Sequence, residues 1–306
     1  MGHPAKLLTV KRLGEMGKVH CEVTVGPNGL IDPGPSERGS HGYAMDMLCL
    51  RKAAAARAGV ITISAQALYA GGLFHLGIAH DLARLAGVDV MPGQEAMRLK
   101  AHLSIEEVGK RPAQKGYDDC RRWLGFYLPA WQDYYGKWTI IAIEKEYRFK
   151  VKSHGKARLL TGRADLVMRD PYGRYWILDH KTAFEISGQT LDQYVADIQM
   201  ILYRLFGKIL WKENFGGVII GRVNKRYTGN NRERATAFDP LPDADQAVED
   251  AIATLSFWDD LRDSLAHLPW QKQPASFTQH TCRDRYRPCD LVGYCLTGML
   301  PFRGDK

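Results

Sequence analysis

Asp179, His180 and Lys181 close the apolar run Trp176-Ile177-Leu178 near the middle of the chain. In an extended strand, residues two apart share a face, so Asp179 and Lys181 project together while His180 points the other way. Upstream, Leu160-Thr161-Gly162-Arg163-Ala164-Asp165-Leu166-Val167 carries another acid. The turn Asp170-Pro171-Tyr172-Gly173 lets the two strands pair and bring Asp165 beside the first two residues. Two carboxylates and an ammonium at the edge of an apolar hairpin suit a hard divalent cation such as Mg²⁺, which takes oxygen ligands and leaves positions for water and phosphate. A lysine there can position or deprotonate the attacking water, as phosphodiester hydrolysis requires. By spacing alone the triplet also reads as an exposed ion pair on a hairpin, since such triplets are common.

Cysteines form another chemical cluster. Of the 6 in the chain, Cys282, Cys289 and Cys295 stand close together among Arg283, Arg285 and Arg287, whereas Cys21, Cys49 and Cys120 are scattered. In a reducing compartment, that density points to metal binding before disulfides. Three thiolates are one short of the set that structural zinc or a cubane iron–sulfur cluster takes. His280 is one candidate for the missing donor, in a zinc site.

The elements that must position these groups follow from pattern. Residues 1–42, with Gly26-Pro27 and Asp32-Pro33-Gly34-Pro35, read as an irregular lead-in. Residues 43–135 are rich in helix formers, among them Ala44, Met47, Leu48, Leu82, Leu85 and Ala86. The texture then turns β-branched and aromatic over Trp138–Ile143, Tyr147–Val151, Leu159–Val167 and Tyr175–Leu178, which predicts three antiparallel strands. Val195, Ile198, Ile201, Leu202, Leu205, Phe206 and Ile209 keep a helical period and predict a helix from Leu191 to Leu210. Gly217–Val223 reads as a short strand joining the same sheet, and Ala244 to Leu265 as another amphipathic helix ahead of the cysteine-rich tail.

Composition bounds the partners. With 306 residues, 45% hydrophobic and 25% charged, the chain is neither disordered nor collagen-like. No run approaches the roughly 20 apolar residues of a membrane span, and Met1-Gly2-His3-Pro4 does not open a signal pattern, so the expectation is a cytoplasmic protein without a membrane partner. The net charge of +8, from 42 Lys and Arg against 34 Asp and Glu, is compatible with an anionic partner. Arg222, Lys225, Arg226, Arg232 and Arg234 surround Tyr227, and Lys110, Arg111, Lys115, Arg121 and Arg122 lie near Trp123, Phe126 and Tyr127. Such segments can neutralise phosphates while their aromatics stack on unpaired bases; each alone also reads as a solvated face. No G-x-x-x-x-G-K-[ST] motif occurs, so any unwinding would need a partner.

Taken in order, these motifs resemble the PD-(D/E)xK nuclease superfamily, in the RecB-type branch that includes CRISPR-associated RecB-like exonucleases and AddB-type helicase-linked nuclease domains. The branch has an acid in a strand like Gly162–Val167, a D/E-x-K strand like Asp179-His180-Lys181, and a Q-x-x-x-Y helix like Gln199 and Tyr203. Its upstream histidine, in a G-x-x-x-H helix, is taken here as His80 in Gly77-Ile78-Ala79-His80, with His75 left outside the motif. The resemblance implies an α/β restriction-endonuclease-like core, a central mixed sheet flanked by helices, with a helical N-terminal region and a C-terminal iron–sulfur clasp. Residues 43–300 would form one domain: 43–135 the helical part, 136–225 the catalytic core, and 243–300 the last helix and the cysteine clasp.

His80, Asp165 and Asp179 would hold Mg²⁺ or Mn²⁺ together with the main-chain carbonyl of His180. Lys181 would position the attacking water, and Gln199 and Tyr203 would orient the lysine or a phosphate. Glu144 and Glu146 fall on the preceding strand, where the branch often has an acid, and receive no role. Iron–sulfur members draw their last ligand from an N-terminal cysteine, which implies a [4Fe–4S] cluster on Cys49, Cys282, Cys289 and Cys295, with zinc as the alternative. Such a cluster would tie the two ends of the chain together. The implied activity is metal-dependent exonucleolytic hydrolysis of DNA, at single strands or ends, in recombination, repair, replication or CRISPR adaptation. A helicase, recombinase or integrase is the implied protein partner, and Arg222, Lys225 and Arg226 the implied DNA contacts. A structure-selective endonuclease and a non-cutting subunit that binds DNA ends are the alternatives.

Overall fold

The computed structural model describes residues 8–9, 21–31, 54–55, 58, 65–153, 156–184, 186, 191, 194–195, 197–229, 235–243, 245–272, 283–284 and 287–288. Short strands β1 (Leu8–Thr9) and β2 (Thr24–Val25) pair antiparallel. Helices α1 (Ala65–Leu85), α2 (Gly93–Leu103), α3 (Ile105–Val108) and α4 (Lys110–Tyr135) follow. The central sheet is built from β3 (Thr139–Ser153), β4 (Lys156–Arg169), β5 (Tyr175–Ala183), β6 (Phe215–Asn224) and β7 (Thr236–Pro240). Helix α5 (Ile198–Trp211) connects β5 to β6, and α6 (Asp245–Leu265) follows β7. A last small pair, β8 (Arg283–Asp284) and β9 (Arg287–Pro288), is antiparallel.

The sheet is mixed and runs in the order β3-β4-β5-β6-β7. Adjacent strands are antiparallel except β5 and β6, which run parallel because α5 carries the chain back to the other end. Helices cover both faces of this α/β sheet. On one, Phe74, Leu82, Trp123 and Tyr127 from α1 and α4 pack on Ile143, Leu166, Leu178 and Ile219. On the other, Met200, Leu202 and Phe206 from α5, with Val248 and Leu255 from α6, pack on Ala164, Val167, Ile177 and Val218. Each Leu, Ile, Val, Met or Phe among them contributes about 1.5–3 kcal/mol when fully removed from water. The approach of α5 is set at Gly162, where a Cβ would stand 2.1 Å from the Phe206 ring. Among the described residues, no helix is long and apolar enough to cross a membrane.

Four expectations change. Trp138–Ile143 and Tyr147–Val151 are not separate runs but one 15-residue strand, with a register shift between Ile140 and Ala142. The helix expected from Leu191 to Leu210 is interrupted: Leu191, Tyr194 and Val195 are helical, Asp197 is not, and α5 starts at Ile198, where the Asp197 carboxylate caps it by accepting the Gln199 N–H at 2.7 Å. Strand β7 carries a sequence too short to announce itself. Part of the lead-in is core: Val23, Leu30 and Ile31 are buried, and Glu22 bridges to Ala142.

The β4–β5 turn is held by one carboxylate. Asp170 accepts from the backbone N–H groups of Tyr172 and Arg174, both at 2.9 Å, from Arg174 Nε at 2.8 Å and from the Trp176 indole at 3.1 Å. Burial alone would raise this carboxyl, but the Arg174 N–H, the Trp176 indole and the Arg174 guanidinium hold it below its ordinary 3.8. A depressed folded-state pKa means that the stabilisation is present above about pH 3.8 and is lost as pH falls through the folded value. Asp170→Ala is expected to cost about 2–3 kcal/mol in urea unfolding at pH 7, and to flatten the acid limb of the stability profile.

Candidate active site

The antiparallel β3–β4 register pairs Ile143 with Leu166 and Lys145 with Ala164, which leaves Glu144 across from Asp165. Glu144 sits at φ 49°, in the left-handed region that non-glycine residues avoid. Such strain persists only where surrounding contacts over-determine it. Here Arg163 Nε holds Glu144 Oε2 at 3.0 Å, and His75 of α1 reaches both acids: its Nδ1 lies 3.3 Å from Asp165 Oδ2 and 4.0 Å from Glu144 Oε1. The ligand atoms of His75, Glu144 and Asp165 all fall within 4.8 Å of one another, a spacing that a single metal ion can bridge. One imidazole nitrogen and hard carboxylate oxygens suit Mn²⁺ or Mg²⁺.

On β5, Asp179 and Lys181 share a face, and Lys181 Nζ lies 2.8 Å from Asp179 Oδ2. Lys181 Nζ also donates to Gln199 Oε1 at 2.8 Å, and Gln199 Nε2 donates to the Tyr203 hydroxyl at 2.8 Å. Tyr203 in turn donates to the Arg163 carbonyl at 2.6 Å and stands 3.3 Å from Asp179 Oδ1. Gln199 and Tyr203, one helical turn apart on α5, thus form a brace that fixes the lysine to β4 and β5. The backbone N–H of His180 closes the arrangement by donating to Asp165 Oδ2 at 2.8 Å.

Crowding shapes the charges. Burial, with the Asp165 carboxylate, pushes Glu144 up to about 7 against His75 and Arg163. Burial also raises Asp179 to about 6, although Lys181 opposes it. Asp165 moves the other way: burial works against ionisation, yet His75, His180 and Lys181 hold it below its ordinary value. Against burial, Asp165 and Glu144 raise His75 to about 9. Asp179 and Asp165 likewise keep Lys181 firmly an ammonium despite its burial.

Asp165, Asp179, Lys181, Gln199 and Tyr203 are therefore brought together, and His80 is not. Its Nε2 accepts the Ile31 N–H at 3.0 Å, so its Nδ1–H donates to the Met91 carbonyl, also at 3.0 Å. Five residues along a helix is a rotation of about 140°, so His75 and His80 leave α1 in different directions. His75 takes the place expected for His80, and the signal was present: Gly71 precedes His75 by the four steps of G-x-x-x-H, while Gly77 precedes His80 by only three. His80 is instead a structural pin, and burial lowers its pKa from 6.5 although the Met91 carbonyl and Asp81 act oppositely. Above pH 6.5 neither folded nor unfolded chain protonates it; below, the unfolded chain takes up a proton that the folded one resists, so stability drops as pH is lowered below about 6.5. His80→Ala is expected to cost about 2–4 kcal/mol in denaturant unfolding while leaving Mn²⁺ affinity unchanged, the reverse of what a ligand would do.

No family model and no curated protein matches the chain. Among solved structures, the crystal structure of SSO0001 is similar at a TM-score of 0.30 and 17% identity, over 56% of this chain and 73% of that one. A likeness of that degree carries no functional weight.

The expected DNA contacts divide. Arg222 is 3% exposed and bound to Asp239 Oδ2 at 2.6 Å, so it ties β6 to β7 instead of facing a phosphate. Lys225 and Arg226 sit over the Phe184 ring, 5.0 and 5.1 Å from its centroid, just past the end of β5 that carries Lys181. Phe184 belongs to no motif in the sequence; only its place three residues after Lys181 marks it. In the second basic segment, Lys115 and Arg122 pair with Asp119 of their own helix.

Cys49, Cys282, Cys289 and Cys295 lie outside the described residues. Cys21 and Cys120 are free thiols. Burial, with Glu22 for the first and Asp119 for the second, pushes both up to about 12, and Cys120 donates to the Ala70 carbonyl at 3.1 Å. Neither offers a ready thiolate.

Proposed function

We propose that this chain is a metal-dependent DNA nuclease of the PD-(D/E)xK type, acting at DNA ends. What carries the reading is the convergence of Asp165, Asp179 and Lys181 on two adjacent strands, with His75 and Glu144 beside Asp165 and the Gln199–Tyr203 brace behind the lysine. His75, Glu144 and Asp165 would hold a divalent cation, with Asp179 the neighbouring acid. A bound cation there would neutralise the scissile phosphate and lower the pKa of water. The residues do the rest. Lys181, an ammonium held in place by Gln199, donates hydrogen bonds to the incoming water or to a phosphate oxygen, where preorganised donors stabilise developing charge. Asp179 keeps that ammonium aimed, and Tyr203 ties Gln199 to the β4 backbone so that the lysine does not swing away.

Substrate would enter past the exposed ring of Phe184, where a base can stack while Lys225 and Arg226 meet phosphates. Phe184→Ala is expected to weaken single-stranded oligonucleotide binding about 10-fold with no change in its salt dependence. Arg226→Ala should reduce the slope of log affinity against log salt by about 1. Fluorescence anisotropy across a salt series checks both, and equal curves for all three proteins would remove Phe184 from the path.

For the C-terminal cysteines, the sequence cluster and the family resemblance support a [4Fe–4S] clasp completed by Cys49. Anaerobically purified protein should contain iron and labile sulfide and be brown; zinc alone would end this part of the reading.

The direct test of function is digestion of end-labelled single- and double-stranded DNA with Mn²⁺. Wild type should release nucleotides from ends, and a chelator should stop it. Binding without any cleavage would leave the protein a holder of DNA ends.

A further inference from the structure

The Tyr127 hydroxyl of α4 lies 2.7 Å from Nδ1 of His180, and both residues are buried. Among the described residues, His180 Nε2 has no hydrogen-bond partner, so Tyr127 makes the bond that fixes this ring. The tyrosine is itself tightly placed. Its ring meets Phe74 edge-on at 5.3 Å and Phe238 at 4.9 Å, and its oxygen fills the space over Gly221, where a Cβ would stand 1.8 Å away. The strand opposite His180 is therefore bare to admit a hydroxyl, since Gly221 is its register partner on β6.

What His180 does next gives the contact its importance. The His180 ring meets the His75 ring edge-on at 5.9 Å, and its backbone N–H donates to Asp165 Oδ2, the oxygen that His75 Nδ1 approaches at 3.3 Å. Residue 180 thus touches both an imidazole and a carboxylate of the candidate cation site, one through its ring and the other through its peptide. A residue bonded directly to a ligand typically changes metal affinity 10–100-fold when removed; His180 is so placed toward Asp165, and Tyr127 acts one contact further out, which sets its expected effect at the lower end of that range.

We propose that Tyr127 is a positioning residue: by fixing the His180 ring over Gly221, it sets the His75–Asp165 geometry and hence the affinity of the site for its cation. The inference rests on the cation-site reading above. It makes helix α4 part of the functional apparatus, although none of its side chains belongs to the cation-ligating set.

The test is Mn²⁺ affinity of the full chain by calorimetry and electron paramagnetic resonance, with no DNA present. Tyr127→Phe, which removes one oxygen and keeps the ring, should bind Mn²⁺ about 10-fold more weakly, with its thermal midpoint and near-ultraviolet circular dichroism close to wild type. Gly221→Ala, whose methyl displaces the hydroxyl, should weaken binding at least as much. The double variant should bind more tightly than the two single losses multiplied together, since the 1.8 Å conflict with the hydroxyl is gone while the methyl still meets the ring at 3.0 Å and Phe238 at 3.1 Å, and such non-additivity is the signature of a shared contact. His180→Phe removes the partner instead and should lose the same factor. Wild-type binding with equal affinity in Tyr127→Phe and His180→Phe overturns the positioning role and leaves the nuclease reading standing. Absence of Mn²⁺ binding by wild type overturns both.

Discussion

Lys181→Ala should lower the rate of DNA cleavage about 10²–10⁴-fold, the range for losing a positioned proton-transfer or charge-stabilising group. Mn²⁺ affinity should barely move, because the ammonium lies against Asp179 and Gln199 and outside the His75–Glu144–Asp165 set. That split separates a lysine acting on the reacting groups from one that merely neutralises a buried acid. Lys181→Arg is not a conservative rescue, since a planar guanidinium cannot repeat the point contact with Gln199 Oε1, and it should recover little activity. Gln199→Ala should lose less, about 10-fold, because Asp179 still restrains the ammonium from one side. Single-turnover cleavage at saturating Mn²⁺ measures all three. Full activity in Lys181→Ala would remove the lysine from the mechanism.

Asp165→Asn has the other large expected effect, and it acts on binding and on rate together. Asp165 Oδ2 receives the His180 N–H at 2.8 Å and faces His75 Nδ1 at 3.3 Å. The neutral amide keeps an acceptor for the peptide N–H but loses the negative charge that a divalent cation needs, so Mn²⁺ binding should become undetectable and cleavage should fall about 10³-fold or more. The folded state should also lose about 1–3 kcal/mol, because the partly buried His75 loses its nearest countercharge. The thermal midpoint at pH 7 checks that cost, and the variant should still bind DNA through Phe184 and Arg226.

The half of the candidate site on β5 and α5 was legible because its signals are local. A strand puts Asp179 and Lys181 on one face whatever else the chain does, and a helix puts Gln199 and Tyr203 on another; the structure joins these pairs through the Lys181–Gln199 hydrogen bond at 2.8 Å and the Tyr203–Asp179 contact at 3.3 Å. The sheet was readable for the same reason, from period and turn chemistry, but its parallel β5–β6 pairing is a property of the connection and not of either strand. The helical contribution was misassigned. Two histidines on α1 differ by five positions, and only the packing of α1 on β3 and β4 decides which meets the acids. Glu144 and Arg222 show the remaining limit, since one depends on a left-handed backbone within β3 and the other on an ion pair with a strand that sequence did not foretell.

The proposed function requires a divalent cation between His75, Glu144 and Asp165. Anomalous diffraction at the manganese edge from crystals soaked in Mn²⁺ tests it most directly. The predicted result is a peak in contact with His75 Nδ1 and an Asp165 oxygen, absent from Asp165→Asn crystals and retained in His80→Ala. A peak on His80, or a wild-type site that stays empty while the soaked crystal binds Mn²⁺ elsewhere, would contradict it.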